Sequence, residues 1–225
     1  MKLNGIARRD PEFPVRLGSD QIEVDGLVVT AEAKVYLAFN KPRGVVTSAA
    51  DEKGRATVYE YLPEGTPWVG PVGRLDKASE GLLLLTNDSE WAAQVTDPRT
   101  HLDKVYHVQI AATPDQSLMN QLTAGARCEG EVLRVKHVKP VREGKKNSWL
   151  EIVLDEGKNR QIRRIFEALR IDVLRLVRIG IGPLSLGDLE KGVARSLPGG
   201  EKKSLDSAMA IRIAPLRAMA SQRAR

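Results

Sequence analysis

The sequence predicts an α+β fold with a largely antiparallel central sheet and flanking helices. Strand-type segments dominate the chain, among them an apolar run at 34–39, four consecutive leucines at 82–85 and a clean alternation at 104–111. About three helical segments lie between the strands, a mixture that is typical of α+β domains. The length of 225 residues allows one large domain with a small appendage.

Turn and capping signals set the limits of the first elements. In QIEVDGLVV at 21–29, two short strands are predicted around the central Asp-Gly turn. A loop at 40–44 that contains proline and glycine ends the strand before it. Asn87 or Asp88 is placed to cap a short helix that follows the leucine run.

Two further helices and a strand pair are predicted in the second half of the chain. Thr113 offers a hydroxyl cap for a helix that can end at Gly125. Residues 132–141 and 149–154 are predicted as a strand pair joined by a basic loop. The clearest amphipathic helix covers 159–170, where apolar residues follow the i, i+3, i+4, i+7 rule.

Composition restricts the class of protein. The 35 Lys and Arg residues against 29 Asp and Glu give a net charge of +6, which favours a polyanionic partner such as nucleic acid. No apolar run approaches the roughly 18 residues of a membrane span, so an integral membrane protein is excluded. With no secretory signal in the opening residues and a single cysteine, Cys128, the expected location is the reducing cytoplasm.

Most of the net charge lies in one segment. Residues 158–178 carry seven Lys and Arg against two acids. Arg160, Arg163 and Arg164 share the polar face of the amphipathic helix with Glu167 as the one acid. That face is either an ordinary solvated surface or a surface against which an anion or carboxylate lies. Its self-repulsion favours the second interpretation.

Three regions are predicted along the chain. Residues 1–33 form an N-terminal segment, residues 34–200 form the main domain, and residues 201–225 form a basic, disordered tail. After its last acid the tail contains four arginines, Arg212, Arg217, Arg223 and Arg225.

The densest motif is GRLDKASEGLLLLTND at 73–88. Asp76 follows an apolar residue, Gly81 permits a tight bend, and a buried strand is expected to anchor the loop. The carboxylate would then be held rigidly, as catalysis requires. Local chemistry alone also allows Asp76 to be a turn cap. Glu80 follows four residues later and could form a glycosidase-type carboxylate pair with Asp76, but the loop leaves their separation open.

This motif resembles the signature of the RsuA-type ribosomal RNA pseudouridine synthases almost residue for residue. Three more segments match that family in order: FNKPRGVVTS, the K-x-Y strand at 104–106, and GKNRQIRRIFEALR with the following VLRLVRIGIGPLSL. The resemblance extends over about residues 34–198 and implies the pseudouridine synthase fold. It also implies an isomerase, which breaks the bond from ribose C1′ to the base nitrogen, turns the base and rejoins it through C5.

The resemblance assigns catalytic roles to three residues. Asp76 matches the essential carboxylate, which acts on the sugar or the base as a nucleophile or a proton acceptor. Arg163 matches the arginine that pairs with this aspartate and keeps it ionised. Tyr106 matches the aromatic residue that stacks on the target base and is a candidate for handling the C5 proton. A minor alternative, based on the face that it shares with Val108 and Ile110, is that Tyr106 is a core aromatic.

The same match implies the substrate contacts. Leu176 corresponds to an apolar residue beneath the flipped base, and Arg74 to a residue that enters the RNA stack as the uridine leaves it. The other predicted substrate-binding residues are cations, most of them phosphate contacts: Lys41, Arg43, Lys104, Lys158, Arg160 and Arg164. No metal or organic cofactor is expected for an isomerisation.

The main departure from the family pattern concerns the N-terminus. Many relatives begin with a small basic RNA-binding module, and only its tail, at 15–29, is predicted here, so the module is either lost or truncated. The protein is expected to be a monomer. Its expected partner is ribosomal RNA, of either subunit, or a pre-ribosomal particle. Two other hypotheses stay open: a non-enzymatic RNA-binding or assembly factor, and a carboxylate-pair nucleoside hydrolase that releases uracil.

Overall fold

Residues 1–16, 18–30, 32–48 and 54–222 are described in the computed structural model of the protein, with side chains up to residue 210. The chain divides into two compact units, Met1–Lys34 and Val35–Arg225. The larger unit combines helices with a mainly antiparallel sheet, so the predicted α+β class is confirmed. None of the described helices is long and apolar enough to cross a membrane.

The smaller unit is a four-stranded antiparallel sheet. Its strands are β1 (Lys2–Leu3), β2 (Ile6–Ala7), β3 (Ile22–Val24) and β4 (Leu27–Val29), in the order β2-β1-β3-β4. The predicted turn between β3 and β4 is present. Asp25 and Gly26 have φ values of 51° and 83°, as tight hairpin turns of this kind require.

The larger unit is built around a nine-stranded sheet. In chain order the strands of this unit are β5 (Tyr36–Lys41), β6 (Gly70–Val72), β7 (Glu80–Thr86), β8 (Lys104–Ile110), β9 (Ala126–Cys128), β10 (Glu131–Leu133), β11 (His137–Arg142), β12 (Ser148–Leu154), β13 (Val173–Ile181), β14 (Leu184–Ser185) and β15 (Ala194–Ser196). Strands β9 and β10 pair only with each other, as a separate hairpin. The sheet order is β11-β12-β8-β13-β7-β5-β15, with β14 on β13 and β6 on β7. Every pair is antiparallel except β7 with β13.

Strand β7 is the buried centre of this sheet. All seven of its residues are buried, which explains why its sequence is a leucine run without polar alternation. Leu82 and Leu84 pack in one hydrophobic cluster, and Leu83 and Leu85 pack in a second cluster with Phe39. Because successive side chains of a strand point to opposite faces, the two clusters hold β7 from both sides.

Four α-helices are present in the described part of the larger unit: α1 (Ser89–Thr96), α2 (Gln116–Ala124), α3 (Gln161–Ala168) and α4 (Gly199–Gln222). Asp88 caps α1, as predicted, by accepting a hydrogen bond from a first-turn amide at 3.2 Å. Helix α2 ends at Gly125 as predicted, but Thr113 is not its cap. Asp115 takes that role and accepts from the amide of Leu118 at 2.7 Å, because its charged carboxylate also interacts favourably with the helix dipole.

The strand predicted at 132–141 is interrupted. Strand β10 ends at Leu133, β11 begins at His137, and the intervening backbone bonds to two different elements. The amide of Val135 donates to a carbonyl of α2 at 3.0 Å, whereas the amide of Lys136 donates to a carbonyl of β12 at 2.9 Å. The predicted strand pair is therefore formed by β11 and β12 alone.

The first part of the predicted disordered tail, residues 201–210, is helical and has buried side chains. Helix α4 covers residues 201–210, where Leu205 and Met209 are buried in the cluster that contains Leu82 and Leu84. Asp206 accepts a hydrogen bond from the indole Nε1 of Trp91 at 2.8 Å. The i, i+4 spacing of Leu205 and Met209 is the signal that a reading based on composition missed. The four arginines of the predicted tail lie beyond residue 210, where side chains are not described: Arg212, Arg217, Arg223 and Arg225.

Truncation of Leu205 tests the docking of α4. We expect Leu205→Ala to lower the free energy of unfolding by about 2–5 kcal/mol, because a fully buried leucine leaves a cavity when it is shortened. Denaturant titration followed by circular dichroism measures this change. Ser204→Ala is the control, since Ser204 is exposed in the same helix turn. Equal stability of the two variants would contradict the docking of α4.

Candidate active site

A cleft of about 490 Å³ opens beside the loop that leads into β7. Its walls come from this loop, from β8 and β13, and from the segment that begins α3. Seven of the eleven predicted site residues line it: Arg74, Asp76, Lys104, Tyr106, Lys158, Arg160 and Leu176. The four that do not line it are Lys41, Arg43, Arg163 and Arg164.

The loop that carries Asp76 is fixed through its backbone. All five carbonyls of residues 75–79 accept hydrogen bonds: Leu75 from Thr47 Oγ1 at 2.9 Å, Asp76 from Ser79 N at 2.9 Å, Lys77 from Gly44 N at 2.8 Å, Ala78 from Arg163 Nη2 at 3.1 Å, and Ser79 from Lys41 Nζ at 2.9 Å. Three of these donors belong to the segment 41–47, so the predicted opening motif braces the loop. Such a loop holds its carboxylate in one position before any substrate arrives.

The predicted ion pair between Asp76 and Arg163 is replaced by a different arrangement. Among the described residues, the cation in ion-pair contact with Asp76 is Arg160, whose Nη1 lies 3.8 Å from Oδ2. Arg163 instead donates to the carbonyl of Ala78, two residues beyond the aspartate. Burial and the neighbouring charge of Arg160 lower the pKa of Arg163, while the Asp76 carboxylate opposes that shift. Arg163 therefore acts on Asp76 through the loop and through its charge.

Lys41 is not the phosphate contact that its charge predicted. The side chain is fully buried, and Nζ donates to the carbonyls of Pro42 and Ser79 at 3.0 and 2.9 Å. Burial lowers the pKa of Lys41 to about 8, although Asp76 and Glu80 act in the opposite direction. A buried donor of this kind stabilises the catalytic loop and cannot reach RNA.

The pKa of Lys41 predicts a pH dependence of stability. Between its folded value of about 8 and its ordinary value of 10.5, the unfolded chain holds a proton that the folded chain has lost. Stability therefore rises with pH across this window, and we expect the wild type to gain about 2–3 kcal/mol relative to Lys41→Met from pH 8 to pH 10.5. Urea titrations of both proteins across that range provide the measurement, and parallel curves would contradict the expectation.

Glu80 does not form the carboxylate pair that was left open with Asp76. It is buried, and Arg175 binds its two oxygens at 3.0 Å each while Lys191 Nζ lies at 2.5 Å. Burial alone would raise the pKa of Glu80, but the hydrogen bonds from Arg175 and Lys191 hold it below the ordinary value. Glu80 is outside the lining of the cleft, so it anchors the start of β7 and is not available to pair with Asp76.

Tyr106 and Leu176 stand opposite the Asp76 loop. Tyr106 is half-buried on β8 and packs against the hydrophobic cluster that includes Leu176. Arg178 lies directly across from Tyr106 in the β8–β13 pair and also lines the cleft. Arg178 belongs to the basic segment 158–178 but is not among the site residues that the motifs predict.

The remaining predicted cations differ in what they contact. Arg164 forms ion pairs with Glu129 at 3.1 Å and Glu131 at 2.9 Å, and Lys158 also binds Glu131, at 3.0 Å. Arg43, Arg74 and Arg160 are exposed, and Lys104 is half-buried. In the described part of the chain, no three His, Cys, Asp or Glu side chains come together as a metal site.

Comparison with known proteins places the chain in a family. A family model described as RNA pseudouridylate synthase matches residues 35–168, which is more than half of the sequence. The chain belongs to the RNA pseudouridylate synthase family. The resemblance predicted from the four sequence motifs is thereby confirmed, and with it an isomerase that acts on uridine in RNA.

Named relatives of this RNA pseudouridylate synthase cover most of its length. It is 40% identical over 207 residues to ribosomal large subunit pseudouridine synthase B of Bacillus subtilis (strain 168), a match that covers 91% of this chain and 84% of the relative. It is 41% identical over 193 residues to an uncharacterized RNA pseudouridine synthase of Rickettsia prowazekii (strain Madrid E), covering 85% and 81%. A crystal structure of a pseudouridylate synthase aligns with a TM-score of 0.68 at 29% identity, over 91% of this chain and 87% of that one.

Proposed function

We propose that this enzyme converts a specific uridine of ribosomal RNA to pseudouridine, with Asp76 as the essential carboxylate. The observation that carries the proposal is the position of Asp76, which lines the cleft from a loop whose carbonyls are all hydrogen-bonded. A carboxylate held in this way beside C1′ can trap or stabilise the positive charge that develops there when the glycosidic bond breaks.

Three neighbours complete the proposed catalytic group. Tyr106 supplies an aromatic face to the base from β8, and Leu176 supplies an apolar floor from β13. Arg163 positions Asp76 by holding the carbonyl of Ala78. A uridine within folded RNA cannot present its C1′ to Asp76, so the nucleotide must leave the stack, and the exposed Arg74 at the cleft can take its place.

Phosphate contacts are proposed for the cations at the edge of the cleft. Lys104, Lys158 and Arg160 line the cleft, and Arg43 is exposed. They provide the part of the binding energy that does not depend on sequence. Arg164 could join them only by exchanging its two glutamate partners for a phosphate.

Ribosomal RNA is proposed as the substrate because of the named relative. The Bacillus subtilis protein is a ribosomal large subunit pseudouridine synthase, which favours the large subunit over the small one, as free RNA or in a pre-ribosomal particle. Such a substrate places the enzyme in the cytoplasm. We propose that it acts as a monomer without a cofactor, because an isomerisation consumes no second reactant.

Pseudouridine mapping tests this function. Ribosomal RNA from cells with and without the gene is compared, and recombinant protein is then added to RNA from the deletion strain. We expect one or a few pseudouridines to be lost in the deletion strain and restored by the protein. An unchanged pattern favours a non-enzymatic RNA-binding factor, and free uracil among the products favours a nucleoside hydrolase. Either result would overturn the proposal.

A further inference from the structure

Arg178 is a buried cation that forms no ion pair with any of the described side chains. Only 6% of its surface is exposed. Its Nε donates to the carbonyl of Leu82 at 2.7 Å, whereas its Nη2 is buried and has no hydrogen-bond partner in the described part of the chain. The neighbouring Arg175, on the opposite face of β13, has a carboxylate partner, since its Nε and Nη2 both donate to Glu80.

An unpaired buried charge is expensive to maintain. Burial of an arginine that lacks a carboxylate partner removes its hydration, and one hydrogen bond to a neutral carbonyl offsets little of that loss. One reason for proteins to retain such a group is that a ligand or a transition state supplies the missing negative charge. Among the described residues no carboxylate supplies that charge to Arg178, so an anion of the substrate is left to supply it.

The position of Arg178 indicates where that anion forms. Arg178 follows Leu176 by two residues on β13, so both side chains share the face that lines the cleft with Asp76. Tyr106 is its direct partner on β8. These are the residues between which the target base is proposed to lie.

The depth of Arg178 distinguishes a base from a phosphate. Most of the cations proposed for the RNA backbone are open to solvent, with half of the Arg160 side chain and 42% of the Lys158 side chain exposed, and Lys104 is half-buried. A phosphodiester stays at that level because its charge is strongly hydrated. The uracil ring enters the cleft, and its carbonyl oxygens can reach the wall that Arg178 forms.

We propose that Arg178 is a catalytic residue that stabilises the negative charge on the base during cleavage of the glycosidic bond. This inference rests on the proposed function. When the C1′–N1 bond breaks, its electron pair stays with N1 and is delocalised onto O2 and O4, while C1′ is left electron-poor next to Asp76. The base then turns, and C5 bonds to C1′. C5 loses its proton and N1 gains one, so no oxidant or second substrate is consumed.

The backbone around Arg178 keeps this charge in place. Gly81 approaches it so closely that a Cβ there would lie 2.2 Å from the Arg178 carbonyl oxygen. Gly81 belongs to the same motif as Asp76, and Leu82, which fixes Nε, is the next residue. The close contact between β7 and β13 therefore fixes Arg178 next to the motif that carries Asp76.

Steady-state kinetics of four variants test the role of Arg178. Arg178→Gln and Arg178→Ala are expected to lower kcat by about 100-fold or more, while KM and the Kd for substrate RNA change by less than about threefold. Arg178→Lys keeps the charge and should fall between these variants and the wild type. Arg127→Gln removes an exposed charge from β9 and should retain full activity.

Guanidinium rescue separates catalysis from folding. Added guanidinium, at concentrations well below those that unfold the protein, should restore part of the kcat of Arg178→Ala and have no effect on Asp76→Ala. Failure of rescue together with a lowered Tm would assign Arg178 a structural role only. Weaker RNA binding at unchanged kcat would assign Arg178 to a phosphate contact, provided that the slope of log Kd against log salt concentration falls by about 1.

The two proposals fail in different ways. If the wild-type protein forms no pseudouridine in any RNA, the proposed function is wrong. If the wild type is active and Arg178→Gln matches it in kcat, the function stands and the inference about Arg178 is overturned.

Discussion

Asp76→Asn is expected to reduce pseudouridine formation by at least about 1,000-fold, because the amide keeps the shape of the side chain but neither attacks C1′ nor balances positive charge there. RNA binding should change by less than about threefold, since the carboxylate contributes nothing to phosphate contacts. Folding should also be retained, because the contact of Asp76 with Arg160 spans 3.8 Å between groups that are both more than one-third exposed.

Release of tritium from RNA that carries 5-tritiated uridine measures this loss, since C5 exchanges its hydrogen for the bond to C1′. Lys77→Gln is the matched control. Lys77 is the next residue of the same loop, its side chain is exposed, and only its backbone carbonyl takes part in fixing the loop. Turnover of Asp76→Asn above about 1% of the wild-type rate would exclude an essential carboxylate at this position.

The parts of the site that could be predicted from sequence are those with a local cause. A leucine run predicts a buried strand, and β7 is one because hydrophobic clusters cover both of its faces. The aspartate before that strand lines the cleft with Tyr106 and Leu176, as the motifs implied. In these cases the same neighbouring residues determine both the sequence pattern and the position in the structure.

What could not be predicted depends on distant partners. Asp76 and Glu80 look alike in the motif, and they differ because Arg175 and Lys191, 95 and 111 residues after Glu80, bind only the second carboxylate. Lys41 lies next to exposed loop residues in sequence, yet β5 carries it into the interior beneath Ser79. Counting charges gives no information about burial, and burial determines whether a cation binds RNA or braces a loop.

Helix α4 was missed for a related reason. The last 25 residues are rich in alanine and arginine, which suggests a solvated segment. Two apolar side chains, Leu205 and Met209, are enough to dock its first turns, because the cluster beside β7 offers them a complete apolar surface. Docking surfaces of this kind exist only after the sheet has formed.

Gly81→Ala is the second substitution with a large expected effect. Gly81 has a φ of +102°, which disfavours any residue with a side chain, and an added Cβ would lie 2.2 Å from the carbonyl oxygen and 2.8 Å from the nitrogen of Arg178. Both atoms belong to the backbone, so relief requires β7 and β13 to separate. We expect the free energy of unfolding to fall by about 4 kcal/mol or more.

Gly130→Ala measures the backbone strain without a steric clash, so the difference between the two variants gives the steric part of the effect. Gly130 has a similar φ of +90°, but an added Cβ there would meet no atom within 4 Å, so about 1–3 kcal/mol of backbone strain is its whole cost. Urea titration of both variants gives the difference, which we attribute to the contact with Arg178. If Gly81→Ala were no less stable than Gly130→Ala, the tight contact between β7 and β13 would be refuted. Where Gly81→Ala still folds, its activity should fall below that of Gly130→Ala by a factor of at least about 100, because separating these strands moves Asp76 away from Arg178.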